Sequence, residues 1–321
     1  MRSLQVTELD GPSGVSVQDV PDISAQEGQV LVEVKALGLS WPDLLQTKGE
    51  YQIKPDLPFQ LGVDFAGVVR SAPADSGLAE GQRVACCLPY GGGADLVSIH
   101  PESVFPLPDR YSFEQGAALP MNYLTAEFAL ATRGALGEGD TLLVTGAAGG
   151  VGTASIQVGK GLGARVIAVV STPDKAAFAK DAGADEAVLA PGFLPQVKEI
   201  TGPSGVDVVL DVVGEPLMTD ALRSLGAQGR LLVVGFTGGA IPAVKVNRLL
   251  LNNIDVRGVG WGAYAMVRPG YMTAQWERLL PMMESGVIDP PIGNVYSLDQ
   301  VTDALVEMDE RRTLGKSVVR L

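Results

Sequence analysis

Apolar residues in the first hundred positions occur in short runs that Gly, Pro and Asp interrupt. The runs include VSVQDV, QVLVEVKALGL, FAGVV, RVACCL and ADLVSI, and several of them are rich in β-branched side chains. Short runs of this kind, bounded by turn-forming residues, are typical of strands. The pattern therefore predicts a β-rich region from Met1 to about Pro108.

After Pro108 the pattern changes, because helical stretches begin to alternate with buried apolar strands. We predict strands at Thr141–Thr145, Arg165–Val170, Ala187–Leu189, Val206–Val213, Leu231–Gly235 and Ile254–Val259. The predicted helices between them are Gly149–Gly161, Pro173–Ala182, Met218–Ser224 and Val246–Leu251. Six parallel strands with intervening helices make a complete dinucleotide-binding fold.

The chain from about Gly262 onward reads as mixed helix and loop, and it closes with KSVVRL, a predicted strand after Gly315. This segment is too short for a third domain, so we expect it to pack on the β-rich part. The predicted fold class is α/β, with a doubly wound Rossmann sheet (residues 124–262) inserted in a β-rich domain (residues 1–123 and 263–321).

The segment TLLVTGAAGGVG places a strand, a glycine turn and a helix in the order that a pyrophosphate site requires. Helix N-terminal amides then face the phosphates. Ala147, Gly149 and Gly152 occupy the three positions of the G-x-G-x-x-G fingerprint, so the match is imperfect. The alternative is a turn that only packs a helix on a strand. The candidate cofactor contacts are Ala148, Gly149, Gly150 and Val151.

The end of the second predicted strand bears on the choice of nicotinamide cofactor. About 20 residues past the glycine turn, an acid would hold the 2′-hydroxyl of NAD. Here the strand ends with Ser171 and Thr172, whose hydroxyls tolerate a 2′-phosphate that Lys175 could neutralise. This favours NADPH. In the alternative, Lys175 is a solvated helix cation and Asp174 binds NAD.

Composition narrows the function classes further. The net charge of −13 opposes binding to nucleic acid or anionic lipid, because both need Lys and Arg to neutralise phosphates. The two cysteines, Cys86 and Cys87, are adjacent and fit small buried residues better than a disulfide framework or a cysteine-rich zinc site. No apolar run approaches a membrane span and the N-terminus lacks a secretory h-region, so a cytoplasmic location is expected.

Several ordered motifs resemble one family over nearly the whole chain. They are ALGLSWPDLLQTKGEY, PFQLGVDFAGVV, GAAGGVG, GADEAV, DVVLDVVG, GRLLVVGFTGG and RRTLGKSVV. The sequence resembles the zinc-free NADPH:quinone oxidoreductase (zeta-crystallin-like) branch of the medium-chain dehydrogenase/reductase superfamily. The resemblance implies a GroES-like catalytic domain around the Rossmann domain.

The residues that bind catalytic zinc in related dehydrogenases differ in this sequence. Ser40 replaces the Cys of the G-x-C-x-x-D stretch, Val63 replaces the His of G-H-E, and the four-cysteine structural lobe is missing. The single histidine, His100, lies in a predicted strand-end loop. A zinc site needs three or four ligands together, so we expect no metal. Reduction of an already activated acceptor is then favoured over alcohol oxidation. Asp43 is expected to brace the predicted helix Trp41–Gln46.

The resemblance implies three candidate catalytic residues. Tyr51 lies where zinc-free relatives carry an active-site tyrosine, and a phenol can hydrogen-bond a developing enolate or hydroquinone oxygen. Ser40 replaces the usual Asn, which leaves open its contact with nicotinamide ribose or substrate. Thr125 matches a residue whose hydroxyl lies near the nicotinamide, and Asn122 and Tyr123 are further candidates to line the cleft. The alternatives are a turn aromatic at Tyr51 and capping or packing roles for Thr125, Asn122 and Tyr123.

The resemblance also implies cofactor contacts farther along the chain. Gly214 ends the fourth strand, and Gly235 with Phe236 follows the fifth, where the family's backbone meets the carboxamide. Arg311 matches an arginine that reaches a cofactor phosphate. Phe236 fits a core residue equally well, and Arg311 fits a solvated helix end. Ala190 stands where relatives often carry a tyrosine that helps to bind the 2′-phosphate.

The sequence thus predicts an NADPH-dependent reductase that passes hydride directly to a quinone in an interdomain cleft. An enoyl-thioester or enone reductase using the same atoms is the nearest alternative. A non-catalytic NADPH-binding protein, crystallin-like or RNA-binding, is an alternative of another class. The family usually forms homodimers through the sixth strand, here IDVRGVGW, so we expect a homodimer. The alternative is an edge strand covered by its own chain.

Overall fold

The computed structural model describes residues 1–321 and contains sixteen strands. In chain order they are β1 (Arg2–Val6), β2 (Val15–Asp19), β3 (Val30–Gly38), β4 (Phe59–Gln60), β5 (Asp64–Ser71), β6 (Arg83–Cys87), β7 (Leu96–Ile99), β8 (Val104–Pro106), β9 (Thr141–Thr145), β10 (Arg165–Val170), β11 (Glu186–Leu189), β12 (Val206–Asp211), β13 (Leu225–Val233), β14 (Asp255–Gly258), β15 (Ile292–Ser297) and β16 (Lys316–Arg320).

Eleven α-helices accompany these strands, and a π-helical stretch at Phe128–Arg133 follows the third of them. The helices are α1 (Trp41–Thr47), α2 (Phe113–Ala118), α3 (Pro120–Glu127), α4 (Gly150–Gly161), α5 (Pro173–Asp181), α6 (Leu194–Thr201), α7 (Met218–Ser224), α8 (Asn247–Asn252), α9 (Trp261–Ala265), α10 (Tyr271–Glu284) and α11 (Val301–Asp309). No helix combines the length and apolarity that crossing a membrane requires.

Residues 122–267 and 277–289 form one compact unit around a six-stranded parallel sheet. The strand order is β11-β10-β9-β12-β13-β14, which is the doubly wound order of a dinucleotide fold. Central strands such as β9 (TLLVT) are apolar on both faces because helices cover both sides of a parallel sheet. The prediction of six parallel strands in an α/β fold is confirmed.

Most predicted bounds in this unit are correct to within two residues, with one clear exception. Strand β13 begins at Leu225 rather than Leu231, because Leu225 already pairs with Val206 of β12. A register shift follows, and the region contains Gln228 with a φ of 62°. The irregular pairing through Gly226 and Gly229 explains why the apolar pattern indicated only the second half of this strand.

The second compact unit comprises residues 1–121, 268–276 and 290–321. Its larger sheet has seven strands in the order β15-β16-β3-β5-β6-β8, with β7 also pairing with β3, and its smaller sheet has the order β2-β1-β4. The predicted terminal strand is confirmed as β16, which pairs antiparallel with β3. Strand β15 (IGNVYS) was missed, because no residue of it is fully buried and no apolar face marks it.

The two compact units differ from the predicted domains by a few residues at each boundary, and also in one longer segment. The structure groups residues 277–289 with the parallel sheet, where Gln157 Nε2 donates to the carbonyl of Asp289 at 2.8 Å. The boundaries at 123/124 and 262/263 stay a prediction about the domains.

Candidate functional site

The glycine turn joins β9 to α4 and is built around backbone positions that exclude side chains. Gly146 has a φ of +60°, a conformation that favours glycine. A Cβ on Gly152 would lie 2.3 Å from the carbonyl oxygen of Gly146, so the helix and the turn are as close as backbones allow. Gly149 is the N-cap of α4 and provides no side-chain cap. The first amides of α4 therefore have no intrahelical acceptor and can bind an anion.

The carboxyl ends of parallel strands meet at one edge of their sheet, and most predicted cofactor contacts lie there. Besides the turn residues Ala148, Gly149, Gly150 and Val151, this edge holds the residues that follow β10, β12 and β13. Backbone bonds join the last two loops, since Thr237 N donates to Val212 O at 3.0 Å and Gly238 N to Val213 O at 2.8 Å. The structure thus brings these predicted residues together: Ser171, Thr172, Gly214, Gly235 and Phe236.

The residues at the end of β10 have different roles. Thr172 is the N-cap of α5, and its Oγ1 accepts the backbone N–H of Lys175 at 3.3 Å. Ser171 and Asp174 are exposed, and Lys175 is half-buried in the first turn of α5. A serine hydroxyl and a lysine thus lie at this edge, and their contact with a 2′-phosphate stays a prediction.

Asp211 is a buried residue of this edge that the sequence analysis did not identify. Its carboxylate accepts a hydrogen bond from the Thr145 hydroxyl. It also accepts the backbone N–H groups of Val213 and Gly214, each at an N···O distance of 3.1 Å. Burial raises the pKa of Asp211, and these hydrogen bonds oppose the rise. The bonds also explain why β12 ends at Asp211 and not at Val213. An acid within the otherwise apolar run VDVVLDVV was the available signal.

Phe236 is exposed rather than part of the core, with 38% of its surface accessible. Of its two predicted roles, the structure therefore excludes core packing. Its ring lies beside Gly214, whose φ is +75° and whose added Cβ would lie 3.2 Å from Phe236 Cδ1. The loops after β12 and β13 thus pack against each other at this point.

Three candidate residues of α3 occupy different environments. Asn122 lies against the glycine turn, since a Cβ on Gly150 would lie 2.6 Å from Asn122 Nδ2. Tyr123 is buried and its hydroxyl donates to Gln157 Oε1 at 2.6 Å, which favours packing over lining a cleft. Thr125 is buried as well.

The other compact unit holds a buried polar cluster at the start of α1. Ser40 Oγ donates to Asp64 Oδ2 at 2.9 Å, and the Lys316 ammonium donates both to Ser40 Oγ and, at 2.6 Å, to Asp64 Oδ2. The other Asp64 oxygen accepts the backbone N–H of Met121 at 2.8 Å. Sequence reasoning missed Lys316, which is 276 residues from Ser40 along the chain.

Asp43 braces the start of α1, as the sequence predicted. Its Oδ2 accepts the backbone N–H of Ser40 at 2.8 Å, whereas its buried Oδ1 has no partner. Burial raises the pKa of Asp43 to about 7, and the Ser40 N–H bond and the Lys316 charge oppose the rise.

We expect Asp43→Asn to remove a pH-dependent loss of stability. Because the folded-state pKa lies above the ordinary value of 3.8, the contribution of Asp43 to stability is present below that value and is lost as pH rises through about 7. Asn keeps the acceptor for Ser40 N–H without a buried charge. Urea unfolding at about pH 5 and pH 8 measures the free energy of unfolding of both proteins. From the lower to the higher pH, the difference between the two proteins should change by about 3 kcal/mol in favour of the variant. Asp56→Asn, at an exposed site, should show no such gain, and an equal gain there would contradict the prediction.

Tyr51 follows α1 and is half-buried. Burial raises the pKa of its phenol, and the neighbouring Cys87 and Asp43 raise it further. Cys87 is itself buried, with its pKa well above the usual range because of burial. Tyr51 therefore keeps its proton at neutral pH and can act as a hydrogen-bond or proton donor. Arg311, also in this unit, is exposed just after α11, and its backbone N–H donates to Met308 O at 2.9 Å.

The residues at the positions of the zinc ligands do not fit a metal. Ser40 is bonded to an ammonium, whose charge repels a cation, and Val63 is an apolar core residue. His100 is exposed and accepts the N–H of Glu102 through Nδ1 at 3.4 Å. No group of three or more His, Cys, Asp or Glu side chains is arranged to hold a metal ion.

Two protein-family models match this chain, one in each part of the sequence. Residues 26–109 match the model of the alcohol dehydrogenase GroES-like domain, and residues 150–285 match the model described as zinc-binding dehydrogenase. The fold and both models define a medium-chain dehydrogenase/reductase.

Individual relatives narrow the class. Quinone oxidoreductase-like protein 2 of Bos taurus is 36% identical over 324 residues, covering 100% of this chain and 92% of that protein. The crystal structure of a probable oxidoreductase from Mycobacterium abscessus is 41% identical in sequence, with a TM-score of 0.92. The match covers 100% of this chain and 99% of that one. The quinone oxidoreductase of Thermus thermophilus, also solved in complex with NADPH, is 32% identical with a TM-score of 0.84, covering 100% of each chain. The chain belongs to the quinone oxidoreductase family of this superfamily and is an oxidoreductase.

Proposed function

We propose that this protein is an NADPH-dependent reductase that passes hydride directly to a quinone without zinc. The observation that carries the proposal is the glycine turn at the carboxyl edge of the parallel sheet, where the amides of α4 are available to a pyrophosphate. The NADPH complex of the similar Thermus enzyme supports the choice of cofactor.

The polar groups of the other unit support a reaction without a metal. A quinone carbonyl is already activated by conjugation, so it needs no Lewis acid to accept hydride. Ser40, Asp64 and Lys316 form an ion pair with a hydroxyl where zinc relatives need thiolate and imidazole ligands. Such a donor set suits orientation of a ligand rather than metal binding.

The balance of the reaction requires one proton from the protein or solvent. When bound, reduced nicotinamide supplies the hydride, and the quinone takes up a proton as it becomes a hydroquinone. Tyr51 is our candidate for that donor, because its raised pKa keeps the phenol protonated and its side chain is only half-buried. Thr125 and Ser40 are proposed as polar contacts of the nicotinamide end, and Arg311 as a phosphate contact.

Steady-state oxidation of NADPH with three acceptors tests the proposal. We expect turnover with naphthoquinone and phenanthrenequinone and much less with crotonyl-coenzyme A. Preference for crotonyl-coenzyme A would instead identify an enoyl-thioester reductase. Tight NADPH binding with no turnover of any acceptor would identify a non-catalytic binding protein.

Lys175→Ala should weaken the binding of NADPH but not that of NADH. An ammonium at the end of β10 forms a charge-assisted hydrogen bond with a 2′-phosphate, so its loss should raise the KM for NADPH about tenfold and leave the KM for NADH unchanged. Lys180→Ala, at an exposed site on the same helix, is the matched control. An unchanged KM for NADPH would contradict the prediction and support the alternative, in which Lys175 is solvated and Asp174 binds NAD.

We also propose a homodimer formed along β14, which is the last strand of the parallel sheet. Nearby apolar side chains are strongly exposed, including Val246, Leu250 and Leu251, with Leu250 76% accessible. Light scattering should give about twice the chain mass of 33.5 kDa for the wild type and a single chain mass for Leu250→Glu/Leu251→Glu. Leu9→Glu, at an exposed site of the other unit, should leave the mass unchanged. A monomeric wild type would refute the dimer.

A further inference from the structure

Two buried side chains, Thr145 and Asp211, bind three successive backbone N–H groups of the loop that follows β12. Val212 N donates to Thr145 Oγ1 at 3.2 Å. Val213 N donates to Asp211 Oδ1 and Gly214 N to Asp211 Oδ2, each at 3.1 Å. The Thr145 hydroxyl in turn donates to the Asp211 carboxylate. Because neither residue of this buried pair has any exposed surface, the bonds are shielded from solvent.

The other side of this loop is bonded to the loop that follows β13. Thr237 donates to Val212 O through its backbone N–H and through its hydroxyl, each at 3.0 Å. A Cβ on Gly238 would lie 2.0 Å from Glu215 O, so the two loops approach each other as closely as backbones allow. The buried pair therefore fixes the first loop directly and the second loop through it.

Both loops belong to one half of the dinucleotide fold. Such a fold consists of two halves that each hold a mononucleotide, and here β9, β10 and β11 form the first half and β12, β13 and β14 the second. The ribose contact expected at the end of β10 belongs to the adenosine, so the nicotinamide is expected on the second half. The predicted cofactor contacts Gly214, Gly235 and Phe236 all lie in the two loops that the buried pair fixes.

We propose that Thr145 and Asp211 are positioning residues that hold these two loops in the shape that receives the nicotinamide half of the cofactor. Neither side chain touches the cofactor, because their polar atoms are bonded to the loop and to each other beneath the surface. The inference rests on the proposed function in taking a nicotinamide dinucleotide as the ligand of this edge. Loss of the pair should therefore affect the nicotinamide half and not the adenosine half, whereas a general weakening of the fold would affect both.

Calorimetric titration of the intact protein with NADP⁺ and with adenosine 2′,5′-bisphosphate, its adenosine half, tests the inference. Thr145→Val keeps the shape of the side chain but removes the hydroxyl, so Val212 N–H loses its acceptor and Asp211 loses a donor. We expect about tenfold weaker binding of NADP⁺, the size of one charge-assisted hydrogen bond, and binding of the bisphosphate within about twofold of the wild type. Thr145→Ser keeps the hydroxyl and should retain both affinities within about twofold.

Thr237→Val is a second variant, at the far end of the same hydrogen-bond network and on a partly exposed loop. It removes one of the two bonds to Val212 O and should weaken the binding of NADP⁺ about threefold, without an effect on the bisphosphate. Thr201→Val is the matched control, because it removes a hydroxyl bond to Val197 O within α6 of the same unit. It should change neither affinity.

Equal weakening of both ligands, or unchanged binding of NADP⁺ in Thr145→Val and Thr237→Val, would overturn the inference. Turnover of NADPH with quinone by the wild type would then still support the proposed function. A wild type that binds neither ligand would contradict the proposed function and the inference with it. If Thr145→Val does not fold, the comparison of Thr237→Val with Thr201→Val decides by itself.

Discussion

Gly152→Ala should abolish measurable NADPH binding at cofactor concentrations that saturate the wild type, with an increase in Kd of about 100-fold or more. The added Cβ would lie 2.3 Å from the Gly146 oxygen and 2.7 Å from Ala147 Cα. Both contacts are backbone atoms of the turn, so the turn itself must move. Displacement of this turn misaligns the amides that would bind the pyrophosphate.

Isothermal titration of NADPH into the folded variant measures this effect, with circular dichroism confirming that the sheet is intact. Gly262→Ala is the matched control, because its Cβ would make only an ordinary contact with Met266 Cε at 3.8 Å. A Gly152→Ala protein that is folded and binds NADPH as the wild type does would remove the glycine turn as the cofactor site.

Tyr51→Phe should lower kcat about 100-fold or more with every active acceptor and leave NADPH binding unchanged. The phenol is the side chain that we assign to proton delivery, and its raised pKa keeps it protonated across the physiological range. Phe keeps the ring and its packing, so the loss isolates the hydroxyl. The wild-type rate should therefore not fall from deprotonation of this group below about pH 10.

Tyr90→Phe provides the comparison for Tyr51→Phe. Tyr90 lies in the same unit, after β6, and packs edge-on against Phe59 at a centroid distance of 6.2 Å, without a proposed role in chemistry. We expect kcat within about twofold of the wild type, the change of an ordinary surface substitution. An unchanged kcat in Tyr51→Phe for each acceptor would assign Tyr51 to packing.

The parallel sheet could be predicted from the sequence because short stretches of neighbouring residues indicate each of its strands and helices. β10 was predicted with its observed bounds, since RVIAVV is apolar throughout, and α5 begins where Thr172 and Pro173 predict an N-cap and first turn. β15 was missed because none of its residues is fully buried, so no apolar alternation marks it.

The site was predictable in part for the same reason. The glycine turn depends on neighbouring residues and could be recognised from the sequence. The contact between Lys316 and Asp64 joins residues 252 positions apart, so it depends on how β16 and β5 are placed in one sheet. No local pattern encodes such a contact.

A single-turnover experiment tests the central claim most directly: metal-stripped protein, loaded with one equivalent of NADPH, is mixed anaerobically with naphthoquinone. We expect the absorbance of reduced nicotinamide to disappear with formation of one equivalent of hydroquinone, and more slowly when the transferred hydrogen of the cofactor is deuterium. NADPH that stays reduced in the presence of quinone, or oxidation that requires added zinc, would contradict direct, zinc-free hydride transfer.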